Sequence, residues 1–136
     1  MEESGSRRFR KAERISSDSL ADKLFNRHGS RSMAAFPIRL VYMKHDPKPQ
    51  EPAVRVVVCA PKRQLRHAVS RNRAKRQMRE AYRKNKYILY DAISQDTGKG
   101  LAIAFIWTDG KLWETRQVEE RIKNLMQRLA EKGVWR

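Results

Sequence analysis

Cysteine is almost missing from this chain. Cys59 stands alone, which excludes an internal disulfide and leaves no thiol set for a metal. Its apolar surroundings predict a buried structural thiol. Long apolar runs are missing too: the longest, residues 101–107, is far short of the ~20 residues a membrane-spanning helix needs. No lipidation motif is visible. Negative charge is scarce, with 15 acidic residues against 31 lysines and arginines and a formal net charge of +16. A surplus of that size implies a phosphate-rich partner or an anionic membrane surface, and the membrane reading finds no support. The N-terminal stretch MEESGSRRFRKAER has no hydrophobic signal core, and Glu2, Glu3 and Glu13 count against a transit peptide. A reducing cytoplasm is the expected location. Catalytic patterns are lacking as well. His28, His45 and His67 lie in separate contexts, and carboxylates gather only as Glu114, Glu119 and Glu120, which read as surface charge. No P-loop or CxxC pair occurs. The chain reads as a binder, with no catalytic residue, metal-ligand set or small-molecule substrate expected of it.

What is present is a basic stretch, RQLRHAVSRNRAKRQMREAYR, at residues 63–83. Projected on a helix at ~100° per residue, Arg71, Lys75, Arg79 and Arg83 form one i, i+4, i+8, i+12 row. Asn72 and Arg76 fall on the same half of the cylinder. Ala74, Met78, Ala81 and Tyr82 form a core-facing stripe opposite. Only Glu80 is acidic in this stretch. A charged helix face is often merely solvated, but a solvated face usually mixes its signs. Cations crowded without i, i+4 acidic partners repel one another, and an external polyanion relieves that repulsion. Nucleic acid is the favoured partner.

Residues 1–8 are polar and expected to be flexible, and residues 9–136 are expected to form a single RNA-binding domain. Arg7, Arg8, Arg10, Lys11 and Arg14 make a basic arm around Phe9. Ser16 or Ser17 can cap a short helix running to about Asn26, with Leu20, Ala21, Leu24 and Phe25 on one face. That spacing favours a core role for Phe25 over a stacking one. Residues 36–43 read as a strand with Ile38, Leu40 and Tyr42 on one face and Arg39, Val41 and Met43 on the other. After a Pro-rich loop, residues 54–60 alternate Val54, Val56 and Val58 against Arg55, Val57 and Cys59. The loop suggests that these two strands are antiparallel neighbours. Their apolar faces should meet the main core, and their mixed faces are candidates for an open groove. Residues 101–107 read as a buried strand and residues 112–132 as a helix with Val118, Ile122, Leu125, Met126 and Leu129 inward. Trp107, Trp113 and Trp135 read as packing residues. The order predicts helices packed on a sheet of about four strands, with a right-handed crossover as the default for parallel strands.

The run AVSRNRAKRQMREAYR, residues 68–83, resembles the signature helix of the bacterial ribonuclease P protein subunit, an RNR motif followed by KR. Arg71, Asn72, Arg73, Lys75, Arg76 and Arg79 match that motif position by position. FRKAERISS, FPIRLVYM, VVVCAPKR and the long last helix follow the family's order, so the resemblance extends from Phe9 to about Ala130. It implies an α+β fold, an α-β-β-β-α-β-α sandwich with a left-handed β-α-β crossover and a short extra strand near residues 30–34. It also implies a function: the protein joins a catalytic RNA, and together they remove the 5′ leader from precursor tRNA. Hydrolysis would belong to the RNA and its Mg²⁺ ions, bound by RNA partner and substrate rather than by protein ligands. The signature residues, with Arg83 and the preceding Lys62 and Arg63, are the expected RNA-binding set. Asn72 can reach a phosphate or 2′-OH, or cap the helix near Ser70. The family's leader cleft maps onto Phe25, Arg39, Val41, Val57 and Cys59. Ala21 and Val41 are small where that cleft has more aromatic side chains, which implies leader binding through charge more than through stacking. The competing readings are another RNA-binding module or a DNA-binding helix in a major groove.

Overall fold

In the computed structural model, β4 (Leu101–Trp107) is an inner strand of a four-stranded sheet of order β1-β2-β4-β3. The described residues are 11–15, 18–26 and 29–136. Residues 1–8, the arm residues Arg7 to Arg10 and the expected caps Ser16 and Ser17 lie outside them. The other strands are β1 (Arg31–Ala35), β2 (Ile38–Lys44) and β3 (Val54–Cys59). The helices are α1 (Asp18–Phe25), α2 (Ala68–Asn85), α3 (Tyr87–Ile93) and α4 (Thr115–Lys132).

β4 carries apolar residues on both faces, as a strand covered on both sides requires. It pairs antiparallel with β2, Ile38 opposite Trp107, and parallel with β3, Val54 opposite Leu101. The expectation that β2 and β3 are neighbours is therefore wrong: β4 lies between them. The loop 45–53 passes over the start of β4, where Leu101 N donates to Ala53 O at 2.8 Å and His45 N to Gly100 O at 3.1 Å. Gly100 makes this crossing possible, since a Cβ there would overlap Ala53 O and come within 2.8 Å of His45 O. β1, which periodicity did not show and the family resemblance implied, pairs antiparallel with β2. Its RSMAA sequence buries only Met33 among its five residues, too weak an alternation to read.

The two faces of the sheet hold separate cores. Ile38, Leu40, Tyr42, Val54, Val56, Ile103 and Phe105 meet Met78 and Tyr82 of α2 and the stripe Val118 to Leu129 of α4. Trp107 and Trp135 are fully buried in this layer, as their packing role predicts. On the opposite face Leu20 and Leu24 of α1 pack on Val41, Ala102 and Ala104, with Ile15, Met43, Val57 and Ile106 around them. Burying a leucine such as Leu24 contributes about 1.5–3 kcal/mol, enough to hold one short helix across a sheet. α4 begins at Thr115, not at residue 112, because Glu114 and Gln117 form a capping box, and it stops at Gly133, whose φ is 59°.

Candidate nucleic-acid interface

α2 shows the division that its sequence predicts. Ala74, Met78, Ala81 and Tyr82 are buried, and Arg73 and Arg76 are exposed. Gln77 is also buried, and its amide donates to Trp113 O at 3.0 Å and Thr115 Oγ1 at 3.1 Å, tying α2 to the start of α4. The periodicity could not reveal this, because glutamine at a core position looks polar. Asn72 is exposed within the helix and His67 holds the N-cap position, so the capping alternative for Asn72 falls.

The four-residue cation row divides in two. Arg71 turns back and donates to Leu65 O at 3.0 Å and Arg66 O at 2.8 Å, clamping the turn that leads into α2. Arg83 donates through Nε to Glu80 Oε2 at 3.0 Å, and this contact holds the Glu80 carboxyl below its usual range. The side chains of Lys75 and Arg79 form no hydrogen bond or ion pair with other described residues. Lys62 and Arg63 stand exposed in the turn after β3, beside Arg66. Residues 62–84 thus hold ten lysines and arginines against the single Glu80. This surface can bind successive phosphates and offers little else.

The five expected cleft residues do not share one opening. α1 lies across β2 and β4 and leaves space on either side. Toward β1, a groove of about 280 Å³ is lined by Phe25, Arg31, Ser32, Arg39, Val41 and Ile106. Phe25 is 41% exposed at its rim, which corrects the core assignment from helical spacing: the helix ends there, beyond the sheet's apolar cover. Arg39 donates to Ser32 Oγ at 3.4 Å. At the edge of β3, a crevice of about 130 Å³ is lined by Arg14, Ile15, Val56, Val57, Val58 and Arg79. Val57 therefore belongs with α2's cation row, not with Phe25. Cys59 lines neither opening. It is half-buried rather than buried, and burial raises its thiol pKa against the opposing charge of Lys75. The small Ala102 and Ala104 under α1 keep this face of the sheet low. A wider opening, about 900 Å³, lies elsewhere, between loop 47–53 and the turn at 94–99, with prolines and mixed charges on its walls.

Among the described residues no three His, Cys, Asp or Glu side chains converge as metal ligands. None of the described helices is long and apolar enough to cross a membrane. Sequence reasoning missed Arg31, Ser32 and the full burial of Glu13. Arg31 and Ser32 sit on the strand that periodicity overlooked, and a lone glutamate in a basic arm gives no sign of burial.

The Ribonuclease P family model matches residues 9–130. The ribonuclease P protein component of Porphyromonas gingivalis is 33% identical over 100 residues, covering 74% of this chain and 72% of that protein. Its counterpart in Chlorobaculum tepidum is 40% identical over 94 residues, covering 65% of this chain and 60% of that one. The solved ribonuclease P protein of Thermotoga maritima shares the fold with a TM-score of 0.59 at 22% identity, covering 82% of this chain and 90% of that chain. With the signature helix inside the matched region and the same sheet-and-helix architecture around it, the chain belongs to the family of the ribonuclease P protein component.

Proposed function

We propose that this chain binds the catalytic RNA of ribonuclease P and the 5′ leader of precursor tRNA, and so assists the endonucleolytic removal of that leader in the cytoplasm. The observation that carries this is the cationic surface of α2 and the turn before it, running from Lys62 and Arg63 in the turn through Arg73, Lys75 and Arg76 of the helix to Arg79 at the crevice beside β3. Arginine can grip a phosphate through two parallel N–H donors, while lysine acts as a point charge. Asn72 offers both donor and acceptor groups to a phosphate or 2′-OH beside them. The groove under α1 presents Arg39 and Arg31 over the apolar Val41 and Ile106, with Phe25 at the rim. That combination suits a single-stranded segment held by charge, with one aromatic surface for a base.

The protein's work in this reading is positioning and charge neutralisation. Mg²⁺ held by the RNA partner and the substrate supplies the activated water and the stabilisation of the leaving oxygen. The protein lets two polyanions approach one another and fixes the leader's path. Affinities for the ribonuclease P RNA and for precursor tRNA with and without its leader test this directly. The expected result is tight binding of the RNA subunit and a preference for the substrate that keeps its leader. Equal affinity for both substrates would remove the leader from the account, and failure to bind the RNA subunit would remove the function.

A further inference from the structure

Glu13 is a carboxylate with no exposed surface, and both of its oxygens are engaged. Lys86 Nζ donates to Oε1 at 2.9 Å and to Oε2 at 3.1 Å, and Tyr90 OH donates to Oε2 at 2.8 Å. The Lys86 side chain is itself 4% exposed and sits at the joint where α2 passes into α3. A buried ion pair is a poor way to gain stability, because the desolvation of both charges offsets their attraction. What it supplies is geometry: an unpaired buried charge is costly, so only the paired arrangement is allowed. The segment fixed in this way runs along the open edge of β3. Arg14 bridges Val56 in parallel, Ile15 N donates to Val56 O at 2.8 Å, and Arg55 reaches Arg14 O at 3.5 Å. The residue after the buried glutamate, Arg14, then lines one crevice together with Arg79, Ile15, Val56, Val57 and Val58.

We propose that the Glu13–Lys86–Tyr90 cluster is a positioning device that holds Arg14 opposite Arg79, and that the notch between the two arginines takes one phosphate of an RNA strand leaving α2 over the edge of β3. Two guanidinium groups lining one small crevice can each donate to a phosphodiester lodged there, giving charge-assisted contacts. The apolar floor gives the adjoining ribose or base a dry surface. Glu13 does not touch the RNA; it acts through Arg14. This inference rests on the proposed RNA-binding function.

The test is a double-mutant cycle on the full chain with a precursor tRNA carrying its leader as the probe, in a series of salt concentrations. Arg14→Ala is expected to lower affinity about fivefold near 0.1 M salt and to reduce the slope of log K against log salt by about 0.7, the signature of one lost phosphate contact. Glu13→Gln is expected to give the same loss and slope change, and to add less than twofold when Arg14 is already alanine. Full additivity of the two losses, or unchanged affinity in Glu13→Gln, overturns the proposal. If Glu13→Gln does not fold, the exchanged pair Glu13→Lys with Lys86→Glu replaces it. Recovery of both melting temperature and salt slope supports the device, and recovery of melting temperature alone overturns it. Lys75→Ala with Arg76→Ala reports separately on the function: if that variant binds as tightly as the native protein, the RNA-binding reading fails. If it weakens while Glu13→Gln has no effect, only the positioning role fails.

Discussion

Lys75 and Arg79 should matter more than Arg71 and Arg83 for RNA affinity, although all four share one helical row. Arg83 already has Glu80 as a partner, and Arg71 is committed to the carbonyls of Leu65 and Arg66. Lys75 and Arg79 have no such commitments among the described residues, and Arg79 also borders the crevice with Arg14. Each phosphate contact to a single strand contributes about 0.7 to the salt slope, which near 0.1 M corresponds to roughly fivefold in affinity, or about 1 kcal/mol. Replacing Lys75 and Arg79 together by alanine should therefore cost roughly 25-fold and flatten the slope by about 1.4. Arg83→Ala should cost less than about threefold, because pairing with Glu80 already offsets part of its charge. The assay is fluorescence anisotropy with labelled precursor tRNA over a salt series, with circular dichroism to confirm that α2 is intact. Equal losses for Arg83→Ala and Lys75→Ala would refute the reasoning, since the internal pairing would then have no bearing on the interface.

Arg71→Ala should lower stability as well as affinity, by about 1–2 kcal/mol in urea unfolding, because two carbonyls before α2 lose a charged donor. Cys59 should react with iodoacetamide at pH 8 more slowly than a free thiol, since burial lifts its pKa and leaves less thiolate at that pH. Lys75→Met should slow it further by removing the one cation that favours the thiolate, and mass spectrometry of timed samples reads both effects. Gly100→Ala should lower the unfolding free energy measured in urea by about 1–3 kcal/mol, because its Cβ would meet the carbonyl of Ala53 where loop 45–53 crosses β4.

The signature helix, β4 and α4 were legible because each follows a single strong rule. α2 and α4 carry apolar stripes at helical spacing, and β4 is an uninterrupted apolar run. The separation of the two sheet faces was legible too, since Arg39, Val41 and Met43 alternate with Ile38, Leu40 and Tyr42. Strand order was not, because β4 arrives late in the sequence and no local feature announces that it will enter between β2 and β3. α3 was missed for a related reason. It follows α2 with only Lys86 between, so its few apolar residues merge into the end of the longer helix. The candidate site was half legible. The cations of α2 declare themselves by spacing, yet only the folded chain shows that Arg71 faces inward to its own turn, that Val57 belongs with Arg79, and that Phe25 stands clear of the core. Glu13 shows the limit most clearly. A buried carboxylate is defined by its partners, and Lys86 and Tyr90 lie more than seventy residues away.

Enabling cleavage by a catalytic RNA is the role proposed for this protein, and it is probed by precursor-tRNA cleavage at physiological Mg²⁺ with the ribonuclease P RNA of the same organism, comparing RNA alone, protein alone and the two together. Efficient cutting at the mature 5′ end is expected only in the mixture, with a reduced rate when Lys75 and Arg79 are alanine. A mixture no faster than the RNA alone would contradict it and leave the cationic face of α2 to some other polyanion.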